Sequence, residues 1–466
     1  MAVGRIVVCG GSMIGLSTAM LLARDGHQVT VLETDPSPVP GAVAEAWQRW
    51  DRKGVAQFRQ PHLLLAGARQ VLDADLPGMT DRLLAAGCIW VDPLSALPPQ
   101  LTDTLPRPGD DRFRFVTGRR PVLEAVFAQA ADRHPGVTVR RGAAVRGVLA
   151  EPATAQRAPH VTGVALQGAE QLRADLVIDA MGRRTKLGTW LAALGGPIPY
   201  VESEDSGFVY YSRYFSGPDL PVVTGPPVGE LGTISVLTIP GDNGTWSVTL
   251  WAPSADTALR GLRDAERFTD VLRACPLYAH WLAGEPITDV VVMAGVLDRY
   301  RRCVVDDRPV VTGVVAVGDA WACTNPSAGR GLSVGLLHAQ RLRDVVREGL
   351  DEPEAVVRRF DAVTERDIAP FYRSQIAADR ARLAEMDALR TGSPPPPGDP
   401  VLRAAAAATT HDPDVFRGMA EIALCLALPQ EVLARPGFMD KVAPFSDVLP
   451  AALPAPTRAE LLDLVC

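Results

Sequence analysis

Residues 7–33, "VVCGGSMIGLSTAMLLARDGHQVTVLE", decide the fold of this chain. An apolar strand runs into Gly10, a stretch with helical periodicity follows, and a second apolar strand ends at Glu33. A strand, a glycine-rich turn, a helix and a second strand form the βαβ unit that binds dinucleotides. The pattern is degenerate, because Ser12 stands where G-x-G-x-x-G has its middle glycine.

The turn and the acid indicate how a dinucleotide would bind. Gly10 and Gly15 permit a tight turn close to a pyrophosphate at the amino end of the helix. Glu33 is placed to accept hydrogen bonds from the ribose 2'- and 3'-hydroxyls, which argues against a 2'-phosphate there. This segment alone leaves NAD, FAD and a purely structural turn open. The contacts predicted from it are Gly10, Ser12, Met13, Ile14, Gly15, Glu33 and Thr34.

Composition and charge narrow the class of protein. The chain has 466 residues, enough for two or three structural units, with 47% apolar and 22% charged residues. The formal net charge is -7, so the composition shows no excess of basic residues and binding to nucleic acid is not expected. Because no apolar run reaches the roughly 18 residues of a membrane span and the first strand begins too early for a secretion signal, we expect a cytoplasmic protein.

The cysteines and histidines predict no metal centre. The seven cysteines are scattered and never in C-x-x-C spacing, so neither a disulfide framework nor a zinc site is indicated. The seven histidines never fall at metal-ligand spacing or beside a candidate nucleophile. Hydrolysis by a metal or a catalytic triad is therefore not expected.

The pattern of residues changes twice along the rest of the chain. Strand-like runs at 137–145, 174–182 and 310–320 read as further members of the first sheet. Between 199 and 296 the segments alternate and are rich in aromatic residues, which indicates an inserted antiparallel sheet. From 346 onward the pattern is helical, interrupted by a proline run that reads as a stiff linker.

A second motif, "GVVAVGDAWACTNPSAGRGLSVGLLHAQRL" at 313–342, favours FAD over NAD. Asp319 follows an apolar strand and is suited to hold the hydroxylated ribityl chain. A glycine turn then starts a helix, whose free N–H groups would stabilise negative charge on the pyrimidine edge of reduced flavin. The contacts predicted here are Asp319, Pro326, Ala328, Gly329, Gly331 and Leu332.

Together these motifs resemble those of the FAD-dependent monooxygenases of the p-hydroxybenzoate hydroxylase type, over roughly residues 4–345. The shared elements are G-x-S-x-x-G with a distal acid, and G-D-A followed by P-x-x-G-x-G. The segments R-x-G-V-x-Q at 52–57 and R-P-x-L-E at 120–124 are similar to those of a bacterial branch that includes polyether-type epoxidases. By this resemblance Arg52 and Arg120 would contact FAD phosphates or the sugar chain, and the backbone at Val145 would contact the adenine.

The resemblance implies an α/β fold with a Rossmann-like FAD-binding domain of the p-hydroxybenzoate hydroxylase type, an inserted antiparallel β-sheet substrate domain and a C-terminal helical segment. We expect the FAD-binding domain to be discontinuous and the C-terminal region to be separate from it. The predicted boundaries are 1–70, 100–190 and 297–345 for the FAD-binding domain, 71–99 and 191–296 for the substrate-binding domain, and 346–466 for the helical region.

One segment departs from the resembled pattern. Many hydroxylases of this type carry G-A-D-G-x-x-S-x-x-R, which serves both FAD and the transient nicotinamide. Here 178–187 reads "IDAMGRRTKL", with Met181 in place of the aspartate and Thr185 in place of the serine. NADH or NADPH is the expected electron donor, and both direct reduction and delivery by a separate reductase stay open.

The implied activity is a monooxygenase reaction. One oxygen atom of O2 would pass through a flavin C4a-hydroperoxide to an apolar small molecule, by hydroxylation or epoxidation, in a pathway of secondary metabolism. In this reaction the cofactor carries the chemistry and the protein supplies a dry pocket, so no catalytic residue is predicted. The segment "FVYYSRYF" puts Tyr210 on one face of a strand and Tyr211 and Arg213 on the other, and the sequence does not say which face meets the substrate.

Three other functions stay open. An FAD-dependent dehydrogenase or desaturase would use O2 only to reoxidise the flavin, and a non-catalytic flavin-binding protein would keep the fold without turnover. A flavin-dependent halogenase is disfavoured, because W-x-W-x-I-P is absent and the only lysines are Lys53, Lys186 and Lys441. A homodimer is compatible with the sequence.

Overall fold

A computed structural model describes residues 3–55, 57–154, 157–195, 198–205, 207–449 and 451–465. The strands of these residues are short and distributed along the first two thirds of the chain. In chain order they are β1 (Arg5–Cys9), β2 (Gln28–Glu33), β3 (Leu63–Leu64), β4 (Ile89–Val91), β5 (Phe115–Thr117), β6 (Val137–Arg141), β7 (Val145–Glu151), β8 (His160–Leu166), β9 (Gln171–Arg173), β10 (Leu176–Asp179), β11 (Tyr200–Asp205), β12 (Phe208–Ser216), β13 (Val228–Leu231), β14 (Ile234–Pro240), β15 (Thr245–Pro253), β16 (Glu285–Pro286), β17 (Val291–Ala294), β18 (Leu297–Arg302), β19 (Val304–Val305), β20 (Arg308–Pro309), β21 (Val314–Ala316) and β22 (Ala322–Cys323).

The helices alternate with the strands at first and then follow one another without strands between them. They are α1 (Met13–Arg24), α2 (Ala46–Arg49), α3 (Ala66–Asp75), α4 (Met79–Ala85), α5 (Arg120–Asp132), α6 (Leu187–Ala192), α7 (Ala265–Arg273), α8 (Gly331–Arg347), α9 (Pro353–Asp367), α10 (Ala369–Thr391), α11 (Pro400–Ala408), α12 (Pro413–Ala423), α13 (Pro429–Leu433), α14 (Phe438–Val442) and α15 (Arg458–Val465).

A five-stranded parallel sheet organises the first domain, in the order β21-β10-β1-β2-β6. Its strands are apolar on both faces, as expected where both faces are covered. One face packs against α1, α5 and α8, and the other against the antiparallel sheet β7-β8-β9 and α6. The carboxyl ends of β1, β2, β10 and β21 therefore meet at one edge, where a ligand site is expected in such sheets.

The inserted sheet is antiparallel, in the order β13-β14-β15-β12-β16, with β17 also paired to β12. Along β12 and β15 the register sets Tyr210 opposite Trp251 and Phe215 opposite Trp246. One face forms a core with α7 and with α15, which returns from the end of the described chain. The other face meets α10 through Met386 and turns toward the first domain.

One segment lies elsewhere than its predicted domain. Residues 71–99 were expected with the substrate-binding sheet, but Leu72, Met79 and Leu83 are buried in the core of the first domain. The apolar side of helix α3 packs on α8, the long helix that follows β21. Among the described helices, none combines the length and the apolar character that a bilayer crossing requires.

Candidate cofactor and substrate site

The turn after β1 requires glycine at two of its positions. Gly10 has φ +112°, and a Cβ there would lie 2.4 Å from the carbonyl oxygen of Ala180. A Cβ at Gly15 would lie 1.9 Å from the carbonyl oxygen of Gly10. Ser12 is the N-cap of α1 with φ -89°, so a side chain is tolerated there. Its hydroxyl donates a hydrogen bond to Glu124 Oε1 at 2.7 Å.

Glu33 lies at the end of β2, beside this turn. Its carboxylate accepts hydrogen bonds from the backbone N–H of Gly11 at 2.9 Å and of Asp35 at 2.8 Å. It also forms an ion pair with Arg52. The backbone N–H of Ala143, just before β7, donates to the carbonyl oxygen of Glu33 at 2.9 Å. The carboxylate is thus fixed where the ribose was expected, and the chain that leads to Val145 lies next to it.

A buried ion cluster holds the two predicted arginines beside the turn. Glu124 is 0% exposed and lies 3.0 Å from Nη1 of Arg52 and 2.5 Å from Nη2 of Arg120. Burial works to raise the pKa of Glu124, but Arg120 and Arg52 outweigh it and hold that pKa below its usual value. Arg52 also donates to the carbonyl oxygen of Gly11 at 3.1 Å, and Arg120 to the hydroxyl of Ser12 at 3.0 Å. Glu124 was missed as a site residue, although its i,i+4 spacing from Arg120 signalled the pair.

The second wall of the site follows β21. The residues Gly318–Ala320 form a 3-10 turn, in which Gly318 has φ +57° and packs against Ile14. Asp319 faces the cleft, and burial raises its pKa against the opposing charge of Arg120. A second 3-10 turn, Pro326–Ala328, leads through Gly329 to the start of α8 at Gly331. The amino end of α8 and Asp319 therefore border the same space.

His338 supports this wall and was not predicted. It is fully buried, and burial lowers its pKa to about 3, so the ring is neutral. The N–H of Gly318 donates to Nδ1 at 3.4 Å, and Nε2 lies 3.0 Å from the hydroxyl of Thr364. The ring thus ties the turn before Asp319 to α9. A lone histidine in a helix carries no motif, so it could not be predicted from the sequence pattern.

A cleft lies between the parallel sheet and the inserted sheet. The predicted residues that line it come from both motifs and from the substrate segment. They are Ser12, Ile14, Arg120, Asp319, Pro326, Gly329, Gly331, Leu332 and Tyr210.

The other predicted cofactor residues lie around the cleft rather than on its wall. Met13 is completely buried in the core of the first domain, and Thr34 is exposed after β2. Gly10 and Gly15 form the turn itself, Glu33 and Arg52 belong to the ion cluster beneath it, and Val145 begins β7. Ala328 is part of the turn that precedes Gly329.

Of the three residues predicted for the substrate side, only Tyr210 lines the cleft. Tyr210 lines the cleft, stacks on Trp251 with ring centroids 5.9 Å apart, and donates a hydrogen bond to Asn325 Oδ1 at 2.5 Å. Tyr211 packs in the core with α7, and Arg213 donates to the Thr269 hydroxyl at 2.9 Å on that same side. Placing Tyr211 and Arg213 at the substrate was wrong, because successive residues of β12 point to opposite faces of the sheet.

Apolar side chains form much of the substrate side, and Ser212, Thr249 and Gln375 add polar groups to it. The sheet contributes Leu237, Ile239, Trp251 and Met293, and α10 contributes Phe371 and Tyr372. The part played by α10 was missed, because a helical pattern distant in sequence does not show which surface the helix covers.

The departure at 178–187 has a structural counterpart. Asp179, at the end of β10, accepts hydrogen bonds from the N–H of Met181 at 2.9 Å and from the hydroxyl of Thr185 at 2.5 Å. Burial raises the pKa of Asp179 to about 6, against the opposing effect of these hydrogen bonds. The acid is thus two residues earlier than in the resembled motif, and Met181 lines the cleft.

The donor set suits the parts of FAD. A glycine cradle that a Cβ would fill, two buried arginines, a carboxylate at the end of β2 and the amino end of α8 match a pyrophosphate, a ribose and a flavin edge. The half-buried Asp319 matches the ribityl hydroxyls. No element of this set is an acid–base pair or a metal-ligand group, so the site can bind and orient a cofactor more than it can react by itself.

Comparison with known proteins gives the same architecture. No model of a protein family matches the chain. Protein Rv3254 of Mycobacterium tuberculosis is 28% identical over 364 residues, which cover 73% of this chain and 72% of that protein. PqsL, a probable FAD-dependent monooxygenase from Pseudomonas aeruginosa, has a TM-score of 0.60 at 16% identity, with 84% of this chain and 99% of PqsL covered. The flavin-dependent brominase Bmp2 has a TM-score of 0.63 at 14% identity, with 96% of this chain and 100% of Bmp2 covered.

These likenesses confirm the predicted fold class. The chain has the fold of FAD-dependent monooxygenases, which a flavin-dependent brominase shares. The more specific prediction of an epoxidase-like branch stays a prediction.

Proposed function

We propose that this chain is an FAD-dependent monooxygenase that inserts one oxygen atom of O2 into an apolar organic molecule. The observation that carries the proposal is the composition of the cleft. One side is formed by the residues predicted to contact FAD, and the other by an apolar, aromatic sheet surface. Both sides border one continuous cleft, so a cofactor and a second molecule would lie next to each other there.

Each part of the proposed FAD site has its own residues. Glu33 would accept hydrogen bonds from the ribose, and Arg52 and Arg120 would balance the charge of the pyrophosphate. Asp319 would hold the ribityl chain, and the N–H groups at Gly331 would face the pyrimidine edge. Bound FAD would supply the activation of O2 and the transfer of one oxygen atom.

The protein's own part in such a reaction is to exclude water and to fix the substrate. Leu237, Ile239, Trp251 and Met293 offer apolar contacts with no charge among them. Tyr210 donates a hydrogen bond to Asn325, and Ser212 and Thr249 also line the cleft, so the wall carries a few directional hydroxyl groups. A mainly apolar substrate with a few polar substituents suits this wall best.

The electron donor is NADH or NADPH, either bound directly or used by a separate reductase. The experiment that tests the function separates these routes. Purified protein is loaded with FAD, mixed anaerobically with each nicotinamide while the flavin absorbance is followed, and then exposed to ¹⁸O2 with a panel of apolar aromatic and polycyclic compounds. Bleaching followed by one ¹⁸O atom in a product supports direct reduction and oxygen transfer.

Other outcomes have definite meanings. Bleaching only after a flavin reductase is added, followed by ¹⁸O incorporation, supports the same function with a partner. Substrate oxidation without ¹⁸O would show a dehydrogenase or desaturase instead. A protein that binds no FAD would refute the proposal.

A halogenase is the second candidate, because Bmp2 shares the fold. None of the three lysines of the sequence lines the cleft, as far as the structure describes it. We therefore expect no halogenated product when chloride or bromide is added to the same assay.

A further inference from the structure

A second cavity lies behind the turn that carries Asp319. Residues of β10, α6, β11, β18, β21 and α9 surround it. Most of its walls are aliphatic or aromatic, formed by Leu187, Ile198, Val201, Val315, Val357 and Phe360. Neither of the two cofactor motifs contributes a predicted contact to this cavity, and the proposed reaction does not use it.

Arg301 introduces a positive charge into these apolar walls. Its guanidinium donates to two backbone carbonyls, Ala320 at 2.7 Å and Arg183 at 3.4 Å, and not to a carboxylate. The next residue differs, because Arg302 donates to both carboxylate oxygens of Asp361, at 3.1 and 2.5 Å. Arg301 thus has backbone partners that fix its position, and no carboxylate of the described residues lies within ion-pair distance of it.

The other charged groups of the cavity are already held by partners of their own. Asp361 is paired with Arg302, and Asp179 accepts hydrogen bonds from Thr185 and Met181. Arg299 donates to the same Arg183 carbonyl as Arg301, at 3.0 Å, so two guanidinium groups converge there. Burial and then the charge of Arg299 lower the pKa of Arg301, whereas Asp179 raises it. Arg301 is therefore the charged group of the cavity that has only backbone oxygens as hydrogen-bond partners among the described residues.

We propose that the second cavity binds a small amphipathic carboxylate, with its acid group at Arg301 and its apolar part against Leu187, Val315 and Phe360. A guanidinium presents N–H groups in a fork that matches a carboxylate. A mostly apolar wall with a few polar groups is also the usual composition of a small-molecule site.

The occupant would touch the reverse side of the cofactor wall. Trp321 lines both cavities, and its ring lies 4.6 Å from that of His338. Phe360 of the second cavity stacks on His338 at 4.8 Å, and His338 accepts the N–H of Gly318. Binding would therefore be sensed next to Asp319, although the proposal itself concerns only the second cavity.

Titration calorimetry of the full chain with decanoate tests the proposal, and decanol serves as the uncharged probe. Arg301→Gln removes the charge. Gly188→Phe closes the mouth, because Gly188 lines the cavity and a Cβ there meets no atom within 4 Å. The control Gly188→Ala adds only the Cβ, and Leu237→Trp fills the other cleft.

We expect decanoate to bind at one site. Arg301→Gln should weaken decanoate binding by about tenfold or more because it removes a charged hydrogen bond, and Gly188→Phe should weaken it as much because it fills space in the cavity. Gly188→Ala and Leu237→Trp should bind as the unchanged chain does, and decanol should bind more weakly than decanoate. Thermal unfolding curves confirm that each variant is folded. Absent binding, or binding reduced by Leu237→Trp and not by Gly188→Phe, would overturn the proposal. Because the experiment needs no turnover, its failure and that of the monooxygenase proposal are independent.

Discussion

We expect the single substitution Glu124→Gln, in the buried ion cluster, to lower the free energy of unfolding strongly. Glu124 is 0% exposed and accepts hydrogen bonds from Ser12, Arg52 and Arg120. The substitution keeps the shape of the side chain, but it leaves Arg120 without its carboxylate partner and Arg52 with Glu33 alone. Breaking a buried ion pair on one side costs about 3–5 kcal/mol, and with side chains only 4% and 8% exposed on the arginines, solvent screens little of it.

The matched control is Glu45→Gln. Glu45 pairs with Arg49 at 2.8 Å in an i,i+4 pair whose side chains are 47% and 73% exposed. An exposed pair of this kind contributes about 0–1 kcal/mol. Urea unfolding of the FAD-free protein, read by circular dichroism, measures both changes. If Glu124→Gln lowers the free energy of unfolding by no more than Glu45→Gln does, the buried cluster is not a stabilising unit and the reasoning is wrong.

The pH dependence of the same cluster follows from the direction of its pKa. The pKa of Glu124 in the folded protein lies below its usual value, burial being outweighed by Arg120 and Arg52. Its stabilisation is therefore complete above the pKa of an unfolded glutamate, about 4.3, and is lost as the pH falls through the lower folded value. The difference between the unchanged chain and Glu124→Gln should accordingly shrink in acid.

Four further predictions concern the turn, the cofactor, the substrate wall and the histidines. Gly15→Ala should abolish FAD binding in equilibrium titrations, because its Cβ would lie 1.9 Å from the Gly10 carbonyl, whereas Gly147→Ala, where a Cβ meets no atom within 4 Å, should bind FAD normally. Asp319→Ala should weaken FAD binding by about tenfold or more, because charged hydrogen bonds are lost, whereas the control Asp175→Ala, at an exposed position, should not. Equal FAD affinities of the two variants would show that Asp319 does not contact FAD. Tyr210→Phe should change the KM or the position of oxygenation of any substrate found, and Tyr211→Phe, on the other face, should change neither. Burial lowers the pKa values of His62 and His338 to about 3, so below about pH 6.5 the unfolded chain binds protons that the folded chain does not. The free energy of unfolding should therefore fall as the pH drops from about 6.5 toward 3. In His338→Gln this fall should be smaller.

Local patterns explain how much of the site could be predicted. Gly10, Glu33 and Asp319 are set by short-range rules, because a turn, a strand end and a following loop fix where such residues lie relative to their own strand. The parallel sheet then brings these strand ends to one edge, and the sequence contains the order that does this. The predicted βαβ unit and inserted sheet followed from the same local rules.

The choice of faces could not be predicted in that way. The alternation in β12 separates Tyr210 from Tyr211, but only the packing of α7 and α10 decides which face is core and which is cleft. The same holds for α3, whose apolar side fits either sheet and is placed by its contact with α8. Arg301 shows the limit most clearly, because its lack of a carboxylate partner depends on residues far apart in the sequence.

The serine that departs from the glycine pattern belongs to the same physical unit as the arginines. A glycine at position 12 would satisfy the turn but would remove the hydroxyl that donates to Glu124 and accepts from Arg120. Glu124 in turn holds Arg52, whose other hydrogen bond returns to the Gly11 carbonyl of the turn. The closed circuit Ser12–Glu124–Arg52–Gly11, to which Arg120 is joined through Ser12 and Glu124, fixes the orientation of two guanidinium groups at the amino end of α1. Such preorganisation lowers the cost of ordering the site on binding, so Ser12 can replace the close approach of a glycine with fixed hydrogen-bond donors.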